Sequence, residues 1–251
     1  MPEDLVTLKR DDNLAVLTLN DPERRNALGI AMFDALEKAL TSLETDESIR
    51  VILLRGAGSV FCAGFDLGPA VEKPELMGRY IDHLSHINRR IRRLGPVVVV
   101  AVQGAAIAGG CALLSACDFV FISPDAKVGY PVHPIGVSPA VTIPTLQAAI
   151  GSGVARGLLL GGALIDGLEA KRIGLATHLA QSGETVNDEA MALCRMLAEK
   201  PPEAMRYTKA WLNELDGSLD DGRFDPPARE SSELTSGKEA TDMLRAFWQH
   251  R

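Results

Sequence analysis

The spacing of apolar positions changes repeatedly along this chain, and each change marks an element. Leu5 to Lys9 and Leu14 to Leu19 flank the turn residues Arg10-Asp11-Asp12-Asn13, which predicts a β-hairpin. Met32, Phe33, Leu36, Ala39, Leu40 and Leu43 then recur at intervals of three and four, the spacing of an amphipathic helix. The continuous apolar run Val51-Ile52-Leu53-Leu54 predicts a buried strand, and Ile81, Leu84, Ile87, Ile91 and Leu94 define a second helix. Val97 to Val102 and Phe119-Val120-Phe121-Ile122 are further strands, separated by a helix starting near Gly110. Strands that alternate with helices predict an α/β core with parallel pairing.

Beyond about residue 140 strand patterns stop, apart from Leu175 to Leu179, and helices are predicted over 143–150, 153–160, 168–173, 184–198 and 203–215. Asp216 to Pro227 reads as a polar, Gly/Pro-bearing connection before a last helix near Lys238 to Gln249. The expected layout is an α/β core over 1–190 and a helical C-terminal region over 191–251.

Composition narrows the class. With 251 residues, 46% hydrophobic and 24% charged, the chain is globular and not disordered. A formal net charge of −7 provides no overall basic field for nucleic acid or an anionic membrane. Val97 to Leu114 has the length of a membrane span, but four consecutive β-branched valines and Gly104, Gly109 and Gly110 favour a strand, a glycine turn and a helix. Cys62, Cys111, Cys117 and Cys194 form no CxxC pair, and Met1-Pro2-Glu3-Asp4 lacks the basic-then-apolar start of a secretory signal. A cytoplasmic protein with free thiols is expected.

Several motifs fail on chemistry. Gly56-Ala57-Gly58-Ser59-Val60-Phe61 begins like a dinucleotide fingerprint, yet Phe61 stands at the third glycine. Gly104 to Gly110 lacks the Lys and Ser/Thr of a phosphate loop. Gly136-Val137-Ser138-Pro139-Ala140 resembles a nucleophile elbow, but Pro139 has no N–H to give an oxyanion. Arg89, Arg90, Arg92 and Arg93 lie opposite the apolar stripe of their helix and read as a solvated face, with RNA or a phosphate-bearing ligand as the functional alternative. Cys62 reads as a small buried thiol, and His133, on a proline-flanked loop, as either structural or an acid/base group.

Two turns of small residues remain, Ser59 to Leu67 after the strand at Val51 and Gln103 to Cys111 after the strand at Val97. Both lie where α/β sheets place ligands, and small side chains permit close approach to the backbone. Gly109 or Gly110 opens a helix whose unpaired N–H groups and positive dipole end attract an oxyanion.

Taken with Leu19-Asn20-Asp21-Pro22, Arg25-Asn26-Ala27-Leu28, Phe61-Cys62-Ala63-Gly64-Phe65-Asp66-Leu67, Ala108-Gly109-Gly110-Cys111, Cys117-Asp118, Gly129-Tyr130-Pro131, Ile135-Gly136 and Ala246-Phe247, these turns make the chain resemble the crotonase, or enoyl-CoA hydratase/isomerase, superfamily almost end to end. The resemblance implies a spiral of ββα repeats and a helical C-terminal oligomerisation region forming a homotrimer or a dimer of trimers. It implies an acyl-CoA substrate, coenzyme A entering only as part of that substrate, with the thioester oxygen held by the N–H groups of Ala63 and Gly109. Arg25, Ala27 and Leu28 are expected along the coenzyme A path, Phe65, Asp66 and Leu67 near the pantetheine and thioester, and Gly110, Ala112 and Val132 among the substrate-binding residues. Asp66 reads equally as a carboxylate capping its local turn, and Asp118 as structural.

The chain also departs from that family. Its hydratases carry one glutamate directly after the Gly-Gly-Cys turn and another two residues after the tyrosine position; this chain has Ala112 and Val132 there. The acid of the dienoyl-CoA isomerases would fall near Ala140. Adding water across an enoyl thioester needs a base for the water and an acid for the α-carbon, which alanine and valine cannot supply. Three readings follow: an acyl-CoA enzyme with a relocated acid/base group, for which Tyr130, His133, His83 and His86 are candidates and whose chemistry is isomerisation, decarboxylation, thioester hydrolysis or a changed hydration; an acyl-CoA-binding homologue without catalysis; or an RNA binder acting through the arginine-rich helix.

Overall fold

The computed structural model describes residues 4–249; Met1, Pro2 and Glu3 of the N-terminal motif, and the outer ends of both expected regions, lie outside the described residues. Strands β1 (Val6–Asp11) and β2 (Leu14–Leu19) form the expected hairpin, tighter than its turn residues suggested because Arg10 and Asp11 continue the strand and Asp12 takes φ 51°. The chain continues through α1 (Ile30–Glu44), β3 (Val51–Gly56), α2 (Leu67–Glu72), α3 (Glu75–Arg93), β4 (Val97–Val102), β5 (Ala105–Ile107), α4 (Gly109–Ser115), β6 (Phe119–Ile122) and β7 (Lys127–Gly129). Then come α5 (Ile143–Gly161), β8 (Leu164–Ile165), α6 (Gly167–Arg172), β9 (His178–Leu179), α7 (Val186–Ala198), α8 (Pro202–Leu215), α9 (Asp225–Thr235) and α10 (Lys238–Gln249).

The strands fall into a six-stranded sheet ordered β1-β2-β3-β4-β6-β9, parallel after the hairpin, and a small sheet ordered β5-β7-β8. Two turns of chain, β4-β5-α4 and β6-β7-α5, lay one strand in each sheet before their helix. Isolated parallel bridges Leu28 to Phe65 and Cys62 to Ala106 extend the same ladder direction into the loops beside the small sheet. The result is a spiral of β-β-α turns.

Central β4 explains why its sequence is uniformly apolar. Val98, Val100 and Val102 face a core shared with α1, α3 and α4, while Val97, Val99 and Ala101 face a second core covered by α7. With period two and both faces covered, no position is left for a polar side chain. This burial, and not a lipid bilayer, accounts for the apolar run; among the described residues no helix is long and apolar enough to cross a membrane.

Three sequence expectations change. The connection over Asp216 to Pro227 ends early, because α9 starts at Asp225 and takes Pro226 and Pro227 into its first turn, where no intrahelical N–H is needed. The expected boundary after residue 190 falls inside α7, whose apolar side packs on β3 and β4. The arginine run is not a solvated face: Arg89 pairs with Asp225, Arg90 with Glu44, Arg92 with Asp216 and Arg93 with Asp221, at 2.5–2.8 Å. Arg89 and Arg93 also lie over the Phe224 ring. These cations fasten the end of α3 to α1 and to the segments flanking α9, and their charge is spent there.

Candidate active site

The site is built where three parallel segments end side by side: the loop after β2, the loop after β3, and the β5–α4 turn. Asn26, wholly buried and at φ 54°, holds the first two together. Its Nδ2 donates to the carbonyls of Ala57, Val60 and Phe61 at 2.9–3.0 Å, and its Oδ1 accepts from Asp21 N–H at 2.8 Å. Asparagine is among the few side-chain-bearing residues that tolerate a left-handed backbone, so one residue supplies both the turn and its fastening. Sequence reading placed Asn26 in a motif but gave it no role; its left-handed tolerance next to two small-residue turns was the available signal.

Close approach then requires glycine at two positions. A Cβ at Gly64, φ 91°, would come within 2.9 Å of Ile107 O, and one at Gly110 within 2.6 Å of Cys62 O. The turn preceding α4 is itself strained, with Ala108 at φ 49° and ψ −106° and its N–H donated to Gly129 O at 2.8 Å. Such conformations cost roughly 1–3 kcal/mol and persist where surrounding structure fixes them.

The backbone donors differ from the expectation in one respect. Ala63 N–H donates to Arg25 O at 3.0 Å and is therefore occupied. In the bridge between Leu28 and Phe65, Leu28 N–H donates to Gly64 O and Asp66 N–H to Leu28 O, which turns the N–H of Phe65 to the opposite side. Among the described residues neither Phe65 N–H nor Gly109 N–H has an acceptor within the chain. The two residues are neighbours: a Cβ at Gly109 would stand 3.2 Å from Phe65 Cε1 and 3.0 Å from Leu28 Cδ1. The unoccupied donor thus lies two residues after the expected one, and Gly64, at φ 91°, interrupts the extended backbone between them.

Phe65 and Gly109 border a narrow cavity of about 30 Å³, walled by Ile81, Leu84, Ala108, Ala112, Val132, Val137 and Val141. Ala112 and Val132 therefore occupy this wall, whereas Ala140 is not part of it. The polar groups in the lining are hydroxyls. Tyr130 is buried with its OH 3.1 Å from Thr142 Oγ1, and burial pushes its ionisation well above the ordinary phenol range. Ser138 Oγ accepts from Ala140 N–H at 3.3 Å. Among the described residues no aspartate, glutamate, histidine, lysine or arginine is in the lining.

The remaining sequence candidates are distributed outside it. His133 is exposed in the turn after Pro131, beside Gly162, and does not border the cavity. His83 stacks on Phe33, centroids 5.3 Å apart, with Nδ1 2.8 Å from Glu37 Oε1. His86 lies in a charged groove with Arg89, Arg90, Arg93 and Arg206, its ionisation lowered chiefly by burial. None of the three imidazoles meets Phe65 and Gly109 at the cavity. Arg25 is exposed and Ala27 half-buried on the loop leading to Leu28, and Leu67 is half-buried at the first turn of α2. Asp66 stands at the N-cap position of α2 but makes no capping bond; its Oδ2 is 3.4 Å from Arg24 Nη1. Its expected role as a turn cap is replaced by this ion pair.

The thiols are packing groups. Cys62, Cys111 and Cys194 are buried, and loss of hydration raises the ionisation of each to about 12. Asp118 is structural, accepting from Val98 N–H at 2.8 Å and from Lys209 Nζ at 2.7 Å. Among the described residues no group of three or more His, Cys, Asp or Glu is arranged to hold a metal ion.

The same fold recurs in known proteins. Residues 9–220 match the family model described as enoyl-CoA hydratase/isomerase. A Thermus thermophilus protein whose name assigns it provisionally to the enoyl-CoA hydratases is 36% identical over 244 residues, covering 95% of this chain and 96% of that protein. The short-chain-enoyl-CoA hydratase of Clostridium acetobutylicum is 28% identical, covering 98% and 95%. An enoyl-CoA hydratase/isomerase structure from Mycobacterium paratuberculosis superimposes with a TM-score of 0.85 at 26% identity, covering 96% of this chain and 98% of that one. The β-β-α spiral is the crotonase fold, and the chain belongs to the enoyl-CoA hydratase/isomerase family.

Proposed function

We propose that the protein binds an acyl-CoA thioester with its carbonyl oxygen between the N–H groups of Phe65 and Gly109, and stabilises the enolate oxyanion of that thioester. The observation that carries this reading is the adjacency of two unoccupied backbone donors at one apolar cavity. Fixed donors in a water-poor site stabilise developing negative charge far more than they would in bulk water. Coenzyme A enters as part of the substrate, and no nicotinamide or other cofactor takes part.

Ordinary hydration is not the proposed reaction. The wall positions Ala112 and Val132 cannot exchange protons, and Tyr130, kept neutral, is a poor base. The same lining favours one alternative, an acyl-CoA-binding homologue that performs no chemistry.

Calorimetric titration with acetyl-CoA, longer acyl-CoAs and NAD tests the binding step. Saturable heat with the thioesters and none with NAD is expected; NAD binding without any response to a thioester contradicts the proposal.

A further inference from the structure

One face of the six-stranded sheet is covered by α7 across β3, β4 and β6, where the sheet's side chains are apolar. Towards the hairpin the cover ends and the side chains turn polar. Thr7, Thr18 and Arg55 are paired in register across β1, β2 and β3, so their side chains share one row of that face. Lys9 follows two positions along β1. Between this row, the loop 56–58 and the first turn of α7 lies a recess of about 450 Å³, which shares no lining residue with the cavity at Phe65 and Gly109.

The chemistry of the recess is one-sided. Among the described residues its lining holds two cations, Lys9 and Arg55, and no carboxylate, on a chain whose net charge is −7. Arg55 is half-buried; its Nε donates to Thr18 Oγ1 at 3.1 Å, and the N–H groups of its two terminal nitrogens have no acceptor among the described residues. The four arginines of α3, by contrast, are each matched by a carboxylate. The loop adds an N–H and not a carbonyl. Buried amides take its carbonyls: Gln103 Nε2 donates to Gly56 O at 2.7 Å and to Gly58 O at 3.1 Å, and Asn26 Nδ2 to Ala57 O at 2.9 Å. In a trans peptide the N–H points opposite to the C=O, so the Gly58 N–H turns away from Asn26, and it has no acceptor among the described residues. Asn187, second residue of α7, contributes an Oδ1 that is buried without a partner. Asp188 and Glu189 follow it but do not line the recess.

We propose that this recess binds a phosphate group, inorganic or carried as a monoester, through Arg55, Lys9 and the Gly58 N–H, separately from the thioester site. The two cations match the roughly 1.5 to 2 negative charges of a phosphate monoester at pH 7, and a guanidinium fork suits two of its oxygens. A carboxylate carries one charge and no proton to give. Phosphate in its singly protonated form has an O–H for Asn187 Oδ1, the one group of the site that accepts. The proposal is independent of the acyl-CoA reading and stands or falls without it.

The test titrates the full-length wild-type protein with inorganic phosphate and with glycerol 3-phosphate by calorimetry at constant ionic strength, with sodium chloride as the blank. Saturable binding of one phosphate per chain is expected; tighter binding of glycerol 3-phosphate assigns the monoester, and tighter binding of inorganic phosphate the free anion. Arg55→Gln is expected to weaken binding roughly 10- to 100-fold, as loss of charge-assisted hydrogen bonds does. Lys9→Gln should weaken it in the same direction, and Arg206→Gln, which removes an exposed cation elsewhere, should leave it unchanged. Circular dichroism accompanies each variant; if Arg55→Gln does not fold, Lys9→Gln, on the exposed side of an edge strand, decides. Absence of saturable binding by either phosphate, or equal affinity in the folded variants, overturns the proposal. Displacement of bound phosphate by acetyl-CoA also overturns it, because it places that phosphate on the coenzyme A path.

Discussion

At the scale of single residues, the site depends on backbone direction more than on side-chain identity. Gly109 is the first residue of α4 and Phe65 sits in a lone parallel bridge; each presents an N–H that no other group among the described residues takes up. Gly109→Pro should therefore reduce thioester turnover or binding far more than Cys111→Ser, since the cysteine only packs. The proline ring also enters space bordered by Leu28 and Phe65, at 3.0 and 3.2 Å from a Cβ, so Gly109→Ala serves as the steric control that keeps the N–H. Circular dichroism of both variants accompanies the kinetics; a folded proline variant as active as the alanine variant would refute the donor assignment. The sequence showed which two turns meet but not which N–H is free. Ala63 and Phe65 are separated by Gly64 at φ 91°, and composition carries no trace of how that turn aims the N–H groups on its two sides.

At the scale of elements, the helices and strands with strong periodicity were legible, and the pieces held by tertiary contacts were not. The stripe from Ile81 to Leu94 and the valines of β4 each announce their element, because one face or both must be buried. The three-residue strands β5 and β7 are held by pairing within the small sheet, and α9 takes two prolines into its first turn after a polar stretch, so neither has a local signature. The ion pairs of α3 were equally invisible, since Asp216, Asp221 and Asp225 lie more than a hundred residues from their arginines.

A buried pair at the next junction gives a stability prediction. Lys209 of α8 is 6% exposed and joins Pro96 O and Asp118, so Lys209→Met should destabilise by about 3 kcal/mol, the lower end for breaking a buried pair. Urea denaturation measures this, and a change below experimental error would show the pair to be dispensable. At the sheet edge, His178 stacks on Phe121 with centroids 4.4 Å apart, and burial first, then Lys171, lowers its ionisation below the ordinary imidazole range. The folded state then binds fewer protons than the unfolded one, so stability present above about pH 6.5 declines as pH falls below it. His178→Gln should flatten that part of the stability–pH curve, whereas an unchanged slope would assign it to other groups.

At the scale of the whole molecule, the tail is less apolar outside than its sequence suggests, because Leu244 is buried while Phe247 and Trp248 remain partly exposed. Larger apolar surface lies on α8, where Tyr207, Trp211, Leu212 and Leu215 are 68%, 49%, 61% and 80% exposed, and around α5 to α6 at Leu160, Leu164 and Leu168. Exposed apolar side chains of this size are the kind of surface that a contact between copies of the chain covers. Light scattering is expected to give a trimer or a dimer of trimers of the 26.9 kDa chain. A concentration-independent monomer mass would contradict it, and Trp211→Glu with Leu215→Glu should shift the assembly towards smaller species.

The central claim is an acyl-CoA oxyanion site without the proton-transfer groups of a hydratase. It is tested most directly by mixing the wild-type protein with crotonyl-CoA and following the conjugated enoyl absorbance, with binding measured in the same buffer. The account predicts saturable binding and an absorbance that stays constant or declines slowly, since each missing acid or base forfeits roughly 10²- to 10⁴-fold in rate. Rapid loss of the absorbance would contradict it, and would mean that Tyr130, His133 or another group moves both protons from a wall where Ala112 and Val132 cannot.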